Sequence, residues 1–213
     1  MIYEERSISL QRGALDAFVS NFDQTVKPAL NANGGDTLCT LGAVIGDPVE
    51  EVLQITRFPD YQAWEEAQKA YVASPIAVVQ SERVRLLKPV ASRPKSAIAA
   101  DDLRPFYGHR RFFISPDDLD EFVRCSEEGI WPRAEAQGAR VLGLWTTAAA
   151  TSPMEIVLLT GYHGPAHWEQ TRGYQDPPEG FDPAVGERSR RLAAQRSLLT
   201  IRTWVRLMRR VGG

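Results

Sequence analysis

The sequence is poor in cysteine and histidine, has no long apolar run, and has no excess of charge of either sign. Two cysteines in 213 residues cannot build a disulfide framework, so we expect free thiols and a cytoplasmic protein. No apolar stretch approaches the ~20 residues of a membrane span, and the acidic start is unlike a signal peptide. Twenty-five Lys and Arg against 27 Asp and Glu argue against a dedicated nucleic-acid binder.

The usual catalytic signatures are missing too. The sequence contains no Gly-x-Ser-x-Gly elbow, phosphate-binding loop or Rossmann glycine pattern, which disfavours serine hydrolases and nucleotide-binding enzymes. Its histidines have no third ligand at metal-binding spacing, so we predict neither a metal nor another cofactor. Arginines are concentrated between residues 188 and 210; this cluster fits a solvated surface better than an interface with an anionic partner.

The chain is internally repeated. Sliding the sequence by 104 positions aligns residues 6–65 with residues 110–169 without a gap, and 13 positions are identical. Composition alone predicts about four identities in such a span. The identical pairs include Arg6/Arg110, Thr56/Thr160 and Trp64/Trp168. A period of this length indicates a duplicated small domain.

Each copy predicts the same order of elements. A short strand is followed by an amphipathic helix, two strands around a turn, a second helix from near Asp60 or Pro165, and a closing strand near 83–87 or 198–207. This β-α-β-β-α-β order defines the ferredoxin-like unit. Pro28 and Pro132 fall late in the first helices, which they are expected to kink or end.

The repeat also predicts the domain boundaries. We expect a first unit over residues 1–90, a linker of small and polar residues over 91–104, and a second unit over 105–213. The second unit carries a Pro/Gly-rich insertion at 173–186 that has no counterpart in the first. Such a segment is typical either of a functional loop or of a tolerated surface insertion.

The third strand of each copy, residues 52–58 and 156–162, lacks a polar face, as strands do that are buried on both sides. Helices cover one face of each sheet, and a second copy of the sheet is the simplest cover for the other. The predicted fold is therefore α+β: two tandem ferredoxin-like βαββαβ units whose antiparallel sheets face each other in a pseudo-dimeric α/β barrel. The lumen of such a barrel suits a small ligand.

The residues resemble a known family. The opening Met1-Ile2-Tyr3-Glu4-x-Arg6, then Gly13-x-Leu15-Asp16-x-Phe18, Pro28 and Gly34-Gly35, are similar to the NIPSNAP family within the dimeric α/β-barrel superfamily. The resemblance spans both units and is strongest over the first sixty residues of each. The second copy departs from it, because Gly108-His109-Arg110 stands where Tyr-Glu-x-Arg is expected. A role of Glu4 is therefore not duplicated.

The resemblance implies a range of functions, because the superfamily includes cofactor-free monooxygenases, polyketide cyclases, lactone isomerases and haem-dependent proteins. Fold analogy cannot choose among them. We expect a small aromatic or keto/polyketide-type ligand, with cofactor-free oxygenation, cyclisation or isomerisation as its chemistry. The alternative is a non-catalytic interaction or stress-associated protein. The expected partner is the small molecule, without nucleic acid or a membrane span, and a homodimer is left open.

Candidate site residues come from both copies. Arg6 and Arg110 share a strand face with apolar residues, so each is expected to bind a carboxylate, enolate or phenolate, or to pair with an acid such as Glu4. All three histidines lie in the second copy, which favours His163 or His109 as an acid–base group. The candidate ligand-binding residues are Trp145, Tyr162, Trp131 and Glu4. Trp64 and Trp168 are repeated and are predicted to be core.

Overall fold

The computed structural model describes residues 1–172 and 180–212 and divides the chain into two compact units. Met1–Lys88 and residues 208–212 belong to the first unit, and Pro89–Leu207 form the second. The linker expected at 91–104 thus lies within the second unit, and the last residues of the chain group with the first. Residues 173–179 of the expected insertion lie outside the described residues, whereas its last part is helical, because a helix begins at Pro183.

The first unit has the predicted β-α-β-β-α-β order. Its four strands form an antiparallel sheet in the order β4-β1-β3-β2. Its elements are β1 (Ile2–Leu10), α1 (Leu15–Asn21), a π-helical segment (Phe22–Val26), α2 (Lys27–Ala32), β2 (Asp36–Ile45), β3 (Glu51–Phe58), α3 (Tyr61–Ala73) and β4 (Val79–Pro89). The Asp60 side chain accepts a hydrogen bond from the backbone N–H of Ala63 and so caps α3.

The second unit follows the same plan with one additional helix. Its strand order is β8-β5-β7-β6, the same ferredoxin-like arrangement. Its elements are β5 (Phe106–Ile114), α4 (Leu119–Cys125), a π-helical segment (Ser126–Ile130), α5 (Trp131–Ala136), β6 (Arg140–Thr147), β7 (Met154–Tyr162), α6 (Pro165–Gln170), α7 (Pro183–Leu199) and β8 (Thr200–Arg210). The closing strand β4 extends beyond its predicted bounds at both ends, whereas β8 begins later than predicted and ends later.

The first helix of each unit continues through its proline. Pro28 is the second residue of α2, and Pro132 is the second residue of α5. A proline lacks the N–H that an α-helix would use at that point. In both units a five-residue π-helical segment precedes the proline-containing turn, and its wider winding absorbs the interruption. The helix therefore does not end where the proline stands.

Each sheet packs one face against its own helices. In the first unit, Ile8 of β1 packs with Phe18 and Phe22; in the second, Phe112 of β5 packs with Phe122 and Trp131. Because strand side chains alternate between faces, Arg6 and Arg110 share the helix-facing side with Ile8 and Phe112. Within the part of the chain that is described, no helix is both long and apolar enough to cross a membrane.

Candidate functional site

A buried ion pair lies on the helix-facing side of β1. The Nε of Arg6 donates to Oε1 of Glu4 at 2.8 Å, and the two side chains are only 5% and 1% exposed. The other carboxylate oxygen, Oε2, accepts from Nε1 of Trp64 at 2.6 Å and from Nε2 of Gln68 at 2.9 Å. The repeated tryptophan of the first unit therefore holds the Glu4 carboxylate in addition to packing in the core.

The remaining groups of the Arg6 guanidinium are also partnered. Its Nη1 donates to Oε2 of Glu82 at 2.8 Å, and its Nη2 donates to Oε1 of Gln68 at 3.0 Å. The guanidinium carbon lies 3.7 Å from the ring centroid of Tyr71. Burial alone would lower the pKa of Arg6, but Glu4, Tyr71 and Glu82 outweigh it and raise that pKa. The first unit thus neutralises its strand arginine internally.

A cavity of the second unit lies on the corresponding side of its sheet. Its volume is about 470 Å³, and it lies between strands β5 to β7 and helices α5 to α7. Leu158 and Val141 supply apolar wall from the sheet, and the aromatic wall comes from Trp131, Tyr162 and Trp168. A cavity with apolar and aromatic walls and a few charged groups is typical of a small-molecule site.

Arginine is the charged residue of this cavity. Five arginines from the sheet, two helices and the segment after α6 line it, and none of the described lining residues is acidic. They are Arg110, Arg133, Arg172, Arg190 and Arg196. Within residues 1–172 and 180–212, Arg110 forms no ion pair, in contrast to Arg6 in the first unit. The cavity therefore presents several positive charges to its contents.

Burial and the proximity of other arginines lower the pKa of Arg110 and of Arg196. Burial lowers the pKa of Arg110, and the nearby Arg172 lowers it further, although Tyr162 acts in the opposite direction. Burial, together with Arg110, lowers the pKa of Arg196 to about 10. An anion among these guanidinium groups would relieve both effects, because an opposite charge stabilises the charged form of each arginine.

Two cavity side chains differ in how well their donors are satisfied. Arg133 is held in place, since Nη1 donates to the carbonyl of Thr171 at 3.0 Å and Nη2 to that of Arg172 at 2.9 Å. Trp131 is 4% exposed, and its Nε1 has no acceptor among the described residues. An unpaired buried donor is unfavourable, so a ligand oxygen near Trp131 would satisfy it.

The structure brings together three of the predicted site residues, because Arg110, Tyr162 and Trp131 all line this cavity. Arg6 and Glu4 lie together in the first unit. His109 and Trp145 are buried on the opposite face of the second sheet, where Nδ1 of His109 accepts from Nε of Arg206 at 3.0 Å. These two residues therefore do not line the cavity.

His163 is also separate from the cavity. It is exposed at the end of β7, and its backbone N–H donates to Nδ1 of His167 at 3.0 Å. The Nε2 of His167 lies 2.7 Å from the carbonyl oxygen of Gln137, which assigns the proton of the ring to Nε2. Within the described chain, no three His, Cys, Asp or Glu side chains form a candidate metal site.

Sequence reasoning missed most of the positive wall. Arg190 and Arg196 belong to the basic cluster that was interpreted as a solvated surface, yet both line the cavity. The signal was present in α7, where Ser189, Ala193 and Arg196 recur at four- and three-residue steps and share a helix face. Arg133 and Arg172 carried no comparable pattern.

Solved structures share the fold of this chain. A candidate monooxygenase of Lactobacillus acidophilus has 11% identity and a TM-score of 0.66, with 98% of this chain and 93% of that chain covered. A candidate monooxygenase of Fusobacterium nucleatum has 9% identity and a TM-score of 0.61, with 98% and 91% covered. An anthrone oxidase-like protein has 11% identity and a TM-score of 0.59, with 99% and 91% covered. The chain therefore has an α+β fold of the dimeric α/β-barrel class, as predicted.

The sequence of the first unit matches a known family. Residues 3–94 match the model of the NIPSNAP family, which confirms the resemblance over the first unit. Comparison with curated proteins gives no match. At identities of 9% and 11%, the likeness to the solved structures concerns the fold, and the activities in their names belong to those proteins.

Proposed function

We propose that the second unit binds a small organic anion in the cavity beside Arg110. The observation that supports this most directly is the composition of the wall, which contains five arginines and no acidic side chain among the described residues. Burying a cation without a counter-ion is unfavourable, and Arg110 is half-buried on a sheet face shared with apolar residues. A bound anion would supply the missing counter-charge.

The aromatic wall favours a planar ligand. Trp131, Tyr162 and Trp168 offer ring faces and edges for stacking, and about 470 Å³ accommodates a fused aromatic or conjugated keto compound. Burial raises the pKa of Tyr162, so its hydroxyl remains a hydrogen-bond donor at neutral pH. The ligand class that fits these groups is an aromatic or enolisable keto compound bearing a carboxylate, phenolate or enolate.

Binding of naphthalene derivatives tests this proposal. Isothermal titration would compare 2-naphthoate and naphthalene-2-sulfonate with neutral 2-naphthamide. We expect at least one anion to bind more tightly than the amide, and Arg110→Ala to weaken its binding about tenfold or more, since a charge-assisted hydrogen bond contributes about 1.5–3 kcal/mol. Arg191→Ala, on the exposed side of α7, is the matched control. Equal affinity of all three probes, or unchanged binding by Arg110→Ala, would contradict the proposal.

A second candidate function is cofactor-free oxygenation, which the names of the structural neighbours favour. In the reaction of an anthrone, the methylene carbon loses two hydrogens, one atom of dioxygen becomes its carbonyl oxygen, and the other leaves as water. The arginines would stabilise the enolate or phenolate that reacts with dioxygen. The same stabilised anion would serve a cyclisation or an isomerisation. No described lining residue is a carboxylate or an imidazole, so the ionising proton would pass to solvent.

Oxygen consumption with anthrone tests the catalytic candidate. We expect one anthraquinone per dioxygen consumed, a rate proportional to protein concentration, and a lower rate for Arg110→Ala with the Arg191→Ala rate unchanged. A rate equal to that of buffer would remove this candidate. Absence of both turnover and anion binding would favour the non-catalytic alternative. We also propose a homodimer, and light scattering would measure the oligomeric state of the protein.

A further inference from the structure

The strand arginines of the two units occupy corresponding positions. Arg6 lies opposite Gln54 of β3, and Arg110 lies opposite Leu158 of β7. The residues of the second pair follow those of the first by 104 positions. The same offset relates the pairs that lie two residues along each strand, Glu4 with Thr56 and Gly108 with Thr160. The second unit therefore has a glycine at the position from which the first unit projects its carboxylate.

The groups that bind the Glu4 carboxylate also have counterparts. In the first unit these groups are Nε of Arg6, Nε1 of Trp64 and Nε2 of Gln68, at 2.8, 2.6 and 2.9 Å. At the same offset the second unit has Arg110, Trp168 and Arg172, all three of which line the cavity. The second unit keeps the arginine and the tryptophan, and it has an arginine in place of the glutamine. It has no carboxylate at the strand position that corresponds to Glu4.

A side chain at position 108 would begin next to the indole of Trp168. A Cβ built on Gly108 would lie 3.8 Å from Nε1 of Trp168 and 3.3 Å from Cε2 of Tyr162. The structure gives Nε1 of Trp168 no acceptor within the described residues, whereas Nε1 of Trp64 donates to Glu4. An acceptor is thus missing at the place where the first unit has one.

We propose that a carboxylate of the ligand occupies, in the second unit, the position that the Glu4 carboxylate occupies in the first. This rests on the proposed function, which it narrows from organic anions to carboxylates. One oxygen binds Arg110, and the other binds Nε1 of Trp168, with Arg172 at the position of Gln68. A planar carboxylate matches these groups because its two oxygens diverge in one plane, as those of Glu4 do.

The sharpest test restores the carboxylate to the strand. Gly108→Glu places a carboxylate on β5 two residues before Arg110, and we expect it to abolish 2-naphthoate binding and raise the melting temperature. Gly108→Gln has the same volume without the charge, and its melting temperature should stay below that of Gly108→Glu. Gly108→Ala adds only a methyl group and should still bind 2-naphthoate. Unchanged 2-naphthoate binding by Gly108→Glu, or equal melting temperatures of the Glu and Gln variants, would overturn the proposal.

A variant outside the strand keeps the test valid if the Gly108 variants do not fold. Trp168→Phe removes the indole N–H but retains an aromatic ring, so 2-naphthoate affinity should fall several-fold while 2-naphthamide affinity is unchanged. Trp204→Phe, at a position that is 43% exposed and outside the cavity, is the matched control. An equal loss for the acid and the amide, or no loss for either, would overturn the role of Trp168.

The two proposals fail in distinguishable ways. If 2-naphthoate and naphthalene-2-sulfonate bind equally, depend on Arg110, and ignore Gly108→Glu and Trp168→Phe, then the cavity binds anions but the carboxylate position is wrong. If no anion binds better than the amide in the wild-type protein, then the proposed function fails and the carboxylate position fails with it.

Discussion

Glu4 and Arg6 form an ion pair that β1 itself sets up, because residues two apart on a strand project from the same face. Their contact of 2.8 Å is almost completely shielded from solvent. Since Glu4 also accepts a hydrogen bond from Trp64 of α3, the ion pair connects the sheet of the first unit to α3.

Glu4→Gln should destabilise the protein strongly. Among the described residues, the substitution leaves the buried Arg6 guanidinium only the half-exposed Glu82 as a charged partner. Breaking a buried ion pair from one side costs about 3–5 kcal/mol. Urea unfolding would measure the change. Glu66→Gln, which removes an exposed partner of Lys69 on the same helix, should change the free energy of unfolding by less than about 1 kcal/mol. Similar values for the two variants would show that the Glu4 pair contributes little.

Glu4→Gly should make the first unit responsive to small carboxylates. The variant reproduces the glycine found at position 108 while Arg6, Trp64 and Gln68 remain. Added formate or acetate should then raise the melting temperature of the variant more than that of the wild-type protein, since a ligand that binds only the folded state stabilises it. Sodium chloride at equal ionic strength is the control. No difference between formate and chloride would contradict the prediction.

Arg196→Met should leave stability unchanged or increase it at neutral pH. Burial lowers the Arg196 pKa from 12.5 to about 10, so the charged form is disfavoured in the folded state, and an apolar side chain of similar length retains the packing on Phe112 and Phe122. Above pH 10 the folded wild-type protein releases this proton before the unfolded chain does, so its stability should rise relative to the variant.

The measurement for Arg196 is the difference in free energy of unfolding between variant and wild type at pH 8 and pH 11. The advantage of methionine should narrow at the higher pH. Arg191→Met provides the matched comparison on the exposed side of α7, where no such narrowing is expected. A marked loss of stability for Arg196→Met at pH 8 would contradict the prediction.

Gly129→Ala should destabilise the second unit. A Cβ at Gly129 would lie 2.6 Å from Cβ of Leu192, which is buried in α7, so the π-helical segment and α7 would have to separate. Overpacking of this kind costs about 1–3 kcal/mol and outweighs the better helix propensity of alanine. Gly164→Ala is the control, because nothing lies within 4 Å of its Cβ position. Thermal unfolding should separate the two variants clearly.

His163 should titrate below 6.5. Partial loss of solvation, the positive charges of Arg104 and Arg140, and the neighbouring His167 lower its pKa from 6.5. The histidine proton resonances, assigned with a His163→Gln variant, would give the midpoint by NMR. Added salt should move the midpoint back towards 6.5, because it screens the charges of exposed groups. A midpoint above 6.5 at low salt would contradict the prediction.

Periodicity was sufficient to place most elements of both units. The alternation around Arg6 and Arg110 put both arginines on the faces where the structure has them, and Asp60 and Pro165 marked the starts of α3 and α6. Periodicity did not reveal that the first helices continue past Pro28 and Pro132. The π-helical segment changes the backbone winding so that the helix accommodates the proline, and no residue type predicts such a segment.

The cavity was harder to predict than the fold. The position of the cavity depends on the volume that the side chains leave unfilled between the sheet and three helices. The alternation of residues along a strand predicts which face a side chain occupies, but it does not predict where packing leaves a cavity. Arg190 was assigned to a solvated surface because clustered arginines are more often exposed than buried. By contrast, the absence of a Glu4 counterpart at Gly108 was visible in the sequence, and its chemical meaning required the contacts of Trp64.

The close packing of Gly129 against Leu192 fixes the position of α7 beside the cavity. Because Arg190 and Arg196 belong to that helix, the backbone positions from which both side chains reach the cavity are fixed before any ligand binds. Preorganisation of this kind lowers the entropy lost on binding. A bulkier residue at position 129 would loosen this contact and should therefore affect the dissociation rate of a ligand even where the protein still folds. A helix contact outside the cavity lining would then set how long the ligand stays bound.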